Sequence, residues 1–309
     1  MYDLSLGRSG FSPALGKTWY DLTGEKTLML QTAVGGAPIE AWMKPEGGVR
    51  NTYNYIESNF YETTKNAYTY TIQKLQAENS GYELRHTYAY WLQGETGMGN
   101  SFNPNKNGAG IGGWDMGSTA NILSSQQYYD IFMKNMEYFT GEFGCEFMGI
   151  LLVRALAGAA SAESLELQLL TDLTPTRAAQ YALNNRNGKQ ISIVSRVCDI
   201  ARMESYADSS VPGWGYMGSG NLHYNQIGHN ANGVAAANNT YELMFGRKTA
   251  YDLEIIAPNG RDRLANGQEI PLKAGQTYQT AAMVLPMSAA TQKITYKVAD
   301  ENVCTVDAF

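Results

Sequence analysis

The stretch Tyr90-Trp91-Leu92-Gln93-Gly94-Glu95-Thr96 decides the fold that the sequence predicts. It ends an apolar run, residues 84–91, that has the length and composition of a buried strand. The run stops at a Gln-Gly-Glu turn, and a long glycine-rich segment, residues 97–120, follows. Open α/β sheets bind ligands outside the carboxyl ends of their strands. The stretch therefore predicts a ligand site at one edge of an α/β sheet.

Two other stretches carry residues suited to the same site. The first is Val34-Gly35-Gly36-Ala37-Pro38-Ile39-Glu40-Ala41-Trp42, and the second is Asn221-Leu222-His223-Tyr224-Asn225-Gln226-Ile227-Gly228-His229. Ester hydrolysis by a serine needs a base, an acid that orients the base, and donors for the oxyanion. The Gly35 N–H and the Gln93 amide have the chemistry of oxyanion donors, and His223 has that of a general base. Alone, each has a plainer explanation as a turn glycine, a solvated amide or a surface histidine.

The composition bears on the partners that the chain can have. Lys and Arg number 23 and Asp and Glu 29, so the net charge is −6 and nucleic acid is not an expected partner. No run reaches the ~18 apolar residues of a membrane helix, so no membrane span is expected. Cys145, Cys198 and Cys304 lack metal-type spacing, and we expect buried thiols and no metal or cofactor.

The hydrophobic pattern predicts strands that alternate with helices. The predicted strands cover residues 26–34, 84–92, 145–155 and 191–197, and the predicted helices cover 14–22, 53–79, 126–141, 161–170, 175–185 and 227–245. This alternation predicts a three-layer α/β/α domain with a parallel sheet, over residues 1–248. Residues 249–309 show short alternating stretches, at 251–257, 268–272, 277–284, 292–298 and 303–306, with Asn-Gly and Ala-Gly turns between them, which predicts a small all-β module.

Taken together, the three stretches resemble the SGNH-hydrolase superfamily, in particular carbohydrate O-acetylesterases of the sialate O-acetylesterase and acetylxylan esterase type. Residues 35–42 match the family's Gly-Gly-x-x-[Ile/Leu]-x-x-Trp segment, and residues 91–95 match its Trp-x-Gln-Gly-Glu segment. Residues 223–228 look like the histidine loop before the family's last helix, and residues 10–16 look like the stretch before its first helix. The resemblance covers residues 5–247 and implies an SGNH or flavodoxin-like sheet.

The resemblance also implies roles for individual residues. Gly35 and Gln93 would be the oxyanion donors and His223 the base, with support from Glu95, Gly36 and Trp91. Trp114 and Tyr224 are aromatic residues of predicted loops that could bind substrate by stacking on sugar rings, although packing is the plainer explanation of such residues. By the resemblance, the substrate would be an acetylated glycan or polysaccharide, and the protein would be secreted or at a bacterial cell surface. Residues 249–309 are similar to bacterial Ig-like domains that follow glycan-active enzymes, through residues 272–277, 285–286, 294–296 and 303–307.

The chain departs from the family at two positions. The family's nucleophile lies in a Gly-x-Ser turn after its first strand, but nothing before Ser5 or Ser9 reads as a strand. We therefore expect the chain to begin after the nucleophile block, to end in a partial Ig-like sandwich, and to be inactive as it stands. The family's orienting acid would fall at Gly220, and Asp208, Glu95 or a backbone carbonyl could replace it. A non-catalytic glycan-binding or adhesion module on a degenerate SGNH fold is the alternative, which Gly220 favours.

Overall fold

The protein is described by a computed structural model. It describes residues 10–34, 37, 39–44, 60–95, 124–153, 175–184, 190–202, 204, 208–218, 223–246, 249–258, 262–286, 288–289 and 293–306.

In the part of the chain that the structure describes, three parallel strands form the central sheet. They are β1 (Tyr88–Trp91), β2 (Phe147–Leu151) and β3 (Ile191–Ser195), in the order β1-β2-β3. Every residue of β2 and β3 is buried, as expected of parallel strands covered on both faces. The predicted α/β class with a parallel sheet is therefore confirmed.

Within the described residues, six helices accompany the sheet. They are α1 (Ser12–Thr23), α2 (Phe60–Glu78), α3 (Ser125–Phe143), α4 (Pro175–Asn184), the short α5 (Val197–Ile200) and α6 (Gln226–Phe245). A 3₁₀ helix spans Ile39–Trp42. The helix predicted over residues 161–170 lies outside the described residues.

Alternate side chains of the strands pack on opposite faces of the sheet. On one face, Phe147 and Leu151 of β2 join residues of α1 and α6 in one apolar cluster. On the other face, Met148 and Ile150 join residues of α3 and α4 in a second cluster. The sequence favours the close contact of α1 and α6 because a Cβ at Gly233 would lie 2.3 Å from the Phe11 carbonyl oxygen.

The strand predicted over residues 26–34 is wrong. The segment lies beside α1, where a Cβ at Gly16 would contact Thr27 and Met29, but no part of it pairs in the sheet. Leu28 and Leu30 are exposed, by 55% and 40%. The apolar run carries the composition of a buried strand, but a strand also needs a hydrogen-bonding partner, and none of the described residues supplies one.

The C-terminal residues form one antiparallel pair, β4 (Asp252–Ile256) with β5 (Ala281–Leu285). Both were predicted, but residues 268–272, 293–298 and 303–306 are not strands. Leu272, Tyr296 and Val303 are exposed, so no facing sheet among the described residues covers the apolar side chains that would form a sandwich core. Two strands do not identify an Ig-like module, which stays a prediction.

The pair packs against the α/β residues. Ile256 and Ala281 belong to the same apolar cluster as Ala178 of α4. Arg196, directly after β3, forms an ion pair with Glu254 at 2.8 Å. Contacts therefore cross the predicted boundary at residues 248 and 249. No helix among the described residues is long and apolar enough to cross a membrane.

Candidate functional site

The turn after β1 has a conformation that only glycine adopts easily. Gly94 has φ +140°, and a Cβ there would lie 2.6 Å from the Thr176 Cγ2 atom and 3.2 Å from Val153 Cγ2. Because L side chains rarely adopt this φ and the space is filled, residue 94 must be glycine for the chain to turn here. The turn places Gln93 and Glu95 at the carboxyl edge of the sheet.

The side-chain amide of Gln93 has a defined orientation. Its Nε2 donates to the Ala37 carbonyl oxygen at 3.2 Å, and its Oε1 accepts from the Tyr128 hydroxyl at 3.1 Å. Exchanging the oxygen and nitrogen would put Oε1 against the Ala37 carbonyl oxygen, which is also an acceptor, so the Ala37 contact fixes the orientation of the amide. An amide nitrogen has two N–H donors, and within the described residues Ala37 uses one of them.

The stretch around Ala37 runs along the same side of the sheet. The Ile39 carbonyl oxygen accepts from Asn135 of α3 at 3.3 Å. The ring of Trp42 lies 5.2 Å from that of Trp91, in an edge-to-face contact. Two of the three stretches singled out in the sequence therefore lie together. Gly35 and Gly36 themselves lie outside the described residues.

Trp91 supports the site from within the core. It is buried, its ring packs edge-to-face on Phe132 at 5.8 Å, and its Nε1 donates to the Tyr128 hydroxyl at 3.3 Å. These contacts suit the supporting role predicted for it. Trp114, predicted to bind substrate, lies outside the described residues.

His223 is exposed, and its loop is anchored on both sides. Its carbonyl oxygen accepts from the Gly218 N–H at 2.9 Å, and the next residue, Tyr224, forms a β-bridge with Met217. Asn225 caps α6 by accepting from the Gly228 N–H at 3.0 Å. The helix start and the bridge together hold His223 at the amino end of α6, where the sequence predicted a base.

The charge of His223 influences the pKa of Glu95. Glu95 is half-buried, and burial raises its pKa; the positive charge of His223 acts in the opposite direction and favours the carboxylate. Asp208, the other predicted substitute for the acid, is exposed and accepts from the Ser210 N–H and hydroxyl at 2.9 and 2.6 Å, which lowers its pKa. Gly220 lies outside the described residues. Glu95 is thus the better candidate for the acid.

Tyr224 is buried, with 8% of its surface exposed, and its ring lies 5.6 Å from that of His229. Little of the ring is exposed for contact with a ligand, and substrate binding by Tyr224 stays a prediction. Burial and the charge of His223 lower the pKa of His229, so His229 favours its neutral form.

Three polar residues that the sequence did not point to hold this edge of the sheet. Gln180 of α4 is fully buried; its Oε1 accepts from the Val153 N–H at 2.9 Å and its Nε2 donates to the Gln93 carbonyl oxygen at 3.0 Å. Tyr128 of α3 is also fully buried and contacts Gln93. Arg177 donates to the Val153 carbonyl oxygen at 2.9 Å. The sequence signal for Gln180 and Arg177 is weak: they are a polar and a charged residue on the buried face of α4.

No family model, no curated protein and no solved structure matches this chain. The resemblance to carbohydrate O-acetylesterases therefore stays a prediction, and the geometry of the site is the ground on which a function can be proposed.

Proposed function

We propose that this chain carries the site of a carbohydrate esterase, which removes O-acetyl groups from a glycan by serine-type acyl transfer on an SGNH-type fold. The observation that carries the proposal is the hydrogen bond of 3.2 Å between Gln93 Nε2 and the Ala37 carbonyl oxygen. It brings the strand-end amide to Ala37, which follows Gly35 and Gly36 in the sequence, and this supports a site in which Gln93 and Gly35 act together. The setting favoured by the same resemblance is a bacterial secreted or cell-surface protein, with an Ig-like module after residue 248.

The proposed reaction uses the site residues as follows. A serine hydroxyl attacks the acetyl carbonyl carbon while His223 takes its proton, and Gln93 and Gly35 donate to the oxyanion. The sugar oxygen then leaves with the proton from His223, and water hydrolyses the acetyl-serine to acetate. Glu95 stabilises the protonated imidazole, which agrees with the electrostatic effect of His223 on its pKa.

The serine is not assigned to a residue of this chain. Ser5 and Ser9 lie outside the described residues. Ser195, at the end of β3, is unsuitable because its hydroxyl is buried and donates to Asn232 Oδ1 at 2.7 Å. Binding is therefore the first test, because it needs the oxyanion donors and not the nucleophile.

Sodium acetate, the product, and an acetylated xylo-oligosaccharide would be titrated into the 309-residue chain and followed by NMR. We expect both to bind, and Gln93→Glu to weaken acetate binding at least about tenfold, because it replaces a donor by an acceptor (about 1.4 kcal/mol). His86→Asn is the matched control, because His86 lies before β1 and contacts Glu146 at 3.0 Å. Absence of binding, or equal losses in both variants, would overturn the proposal.

Acetate release from acetylxylan tests the chemistry. We expect none from these 309 residues alone. Turnover that is lost in His223→Asn and in a chain with Ser5, Ser9 and Ser12 all changed to Ala would place the nucleophile here and support the enzyme. Turnover that survives the three serine replacements would refute the serine mechanism.

A non-catalytic glycan-binding or adhesion module is the second candidate. Among the described residues, no hydrogen bond orients the His223 ring, and glycine stands where the family has its acid. A complete gene without a Gly-x-Ser turn after an apolar strand, together with glycan binding, would favour this module over the esterase.

A further inference from the structure

We infer that Tyr128 is a positioning residue that sets the direction of the Gln93 donor. The inference rests on the proposed function, because it explains how one N–H of Gln93 is kept ready for an oxyanion. It starts from the Tyr128 ring, which is fully buried in α3, with its hydroxyl at the carboxyl end of β1.

The Tyr128 hydroxyl has a preferred direction. Two N–H groups point at its oxygen, Trp91 Nε1 and Gln180 Nε2, both at 3.3 Å. Because a phenol oxygen that accepts from two donors directs its own proton elsewhere, the proton lies toward Gln93. There it meets the side-chain Oε1 at 3.1 Å and the carbonyl oxygen at 3.2 Å.

The carbonyl oxygen of Gln93 already has a donor. Gln180 Nε2 donates to it at 3.0 Å, so the side-chain Oε1 is the acceptor that depends on Tyr128. With Oε1 held by Tyr128 and one Nε2 hydrogen held by Ala37, rotation about the last side-chain bond of Gln93 is blocked at both ends. The second Nε2 hydrogen then points in one direction.

Preorganisation of a donor has a measurable consequence. A donor that already points toward the developing charge needs no reorganisation when the ligand arrives, which is the main source of oxyanion stabilisation in enzymes. Without the Tyr128 hydroxyl, the Ala37 carbonyl oxygen alone orients the Gln93 amide, so the second Nε2 hydrogen is held less firmly in its direction. Tyr128 would thus act on affinity through Gln93 while never touching the ligand.

The test compares Tyr128→Phe with Tyr68→Phe in the full chain. Tyr68 donates to the Phe143 carbonyl oxygen at 2.8 Å, at the far end of α3, so this control also loses one hydroxyl hydrogen bond. The readouts are the assigned side-chain NH₂ resonances of Gln93 in ¹⁵N-glutamine-labelled protein and the affinity for acetate. We expect Tyr128→Phe to mobilise the Gln93 NH₂ group and weaken acetate binding about tenfold, which corresponds to loss of about one oriented hydrogen bond, and Tyr68→Phe to change neither.

Unchanged Gln93 resonances in Tyr128→Phe would overturn the inference, even if wild-type protein binds acetate and the proposed function stands. If Tyr128→Phe mobilises the Gln93 NH₂ group but the wild-type protein binds no acetate, the positioning role is supported and the esterase site is refuted. If Tyr128→Phe does not fold, Gln180→Met removes one of the two donors to Tyr128 and should mobilise the Gln93 NH₂ group to a smaller degree. An unaffected Gln93 in folded Gln180→Met would count against the inference.

Discussion

Replacement of Gly94 by alanine is expected to destabilise the protein much more than the same change at a glycine in open space. Gly94 has φ +140°, and the new methyl group would lie 2.6 Å from Thr176 Cγ2. Backbone strain in a region reserved for glycine costs about 1–3 kcal/mol, and overpacking a filled site costs about 1–3 kcal/mol more. We therefore expect Gly94→Ala to lower the free energy of unfolding by about 2–6 kcal/mol, the sum of the two costs.

Gly24→Ala separates the effect of backbone conformation from that of packing. Gly24 ends α1 with φ +72°, and a Cβ there would meet nothing within 4 Å. Its replacement should cost only the left-handed conformation, about 1–2 kcal/mol. Urea unfolding followed by tryptophan fluorescence would measure both variants, since Trp91 lies three residues before Gly94.

A second change isolates the collision at Gly94. Thr176→Ser removes the Cγ2 atom that lies closest to the new methyl group, so Gly94→Ala combined with Thr176→Ser should recover about 1–2 kcal/mol of the loss, an interaction energy of the size seen for residues in contact. The φ cost should remain. Equal destabilisation by Gly94→Ala and Gly24→Ala, or no recovery in the double variant, would refute this account of the turn.

Three further predictions concern other parts of the structure. Asp199→Asn should lower the free energy of unfolding by about 3 kcal/mol or more, because it removes the negative charge that lies 2.7 Å from the buried Arg177. The exposed Lys17–Asp21 pair gives a control, Asp21→Asn, with a loss below about 0.5 kcal/mol. Hydrogen bonds from Lys44, Tyr61 and Lys65 lower the pKa of Glu142 to about 2. The stabilisation by ionised Glu142 is therefore complete above its unfolded-state pKa of 4.5 and is lost as pH falls toward 2. The free energy of unfolding of Glu142→Gln should lack this loss between pH 4.5 and 2, and an unchanged pH dependence in the variant would contradict the prediction. At pH 8, Cys304 alone should react rapidly with a thiol reagent, because it is exposed whereas burial raises the pKa of Cys145 and Cys198 to about 12; fast labelling of a second thiol in folded protein would show that the core opens.

The helices show what local sequence can predict. The signals that end them lie within a few residues: Gly144 ends α3 with φ +62°, and Asn225 caps α6. Predicted and observed bounds of α3, α4 and α6 accordingly differ by at most two residues. Residues 26–34 show the limit, because a strand requires a partner that lies elsewhere in the chain.

The site shows the same limit at the level of side chains. Gln93 and Glu95 stand out in the sequence because a polar turn follows an apolar run. Tyr128 and Gln180 do not stand out, because each lies inside a predicted helix and nothing in the helical pattern distinguishes it from its neighbours. Both are important because they form hydrogen bonds with Gln93, which lies 35 positions from Tyr128 and 87 positions from Gln180 in the chain. No local sequence pattern encodes contacts over such separations.

Helix α4 contacts the segments that follow all three strands of the central sheet. Thr176 fills the space beside Gly94 after β1, Gln180 bonds to both Gln93 and the Val153 N–H after β2, and Arg177 bonds to the Val153 carbonyl oxygen. Arg177 also pairs with Asp199, which lies just after β3. Since three consecutive strand ends depend on one helix, a shift of α4 would change the spacing of every candidate site residue on β1 at once.

The C-terminal strands also contact α4 and the ion pairs beside it. Ala281 of β5 packs in the same cluster as Ala178 of α4, and Glu254 of β4 reaches Asp199 through Arg196, with distances of 2.8 and 3.0 Å. The ion pairs are largely shielded from solvent, so removal of β4 and β5 would leave Arg196 without one of its two anions and expose the outer side of α4. The β pair is therefore best understood as part of the support of the strand ends, whatever module the residues after 248 belong to.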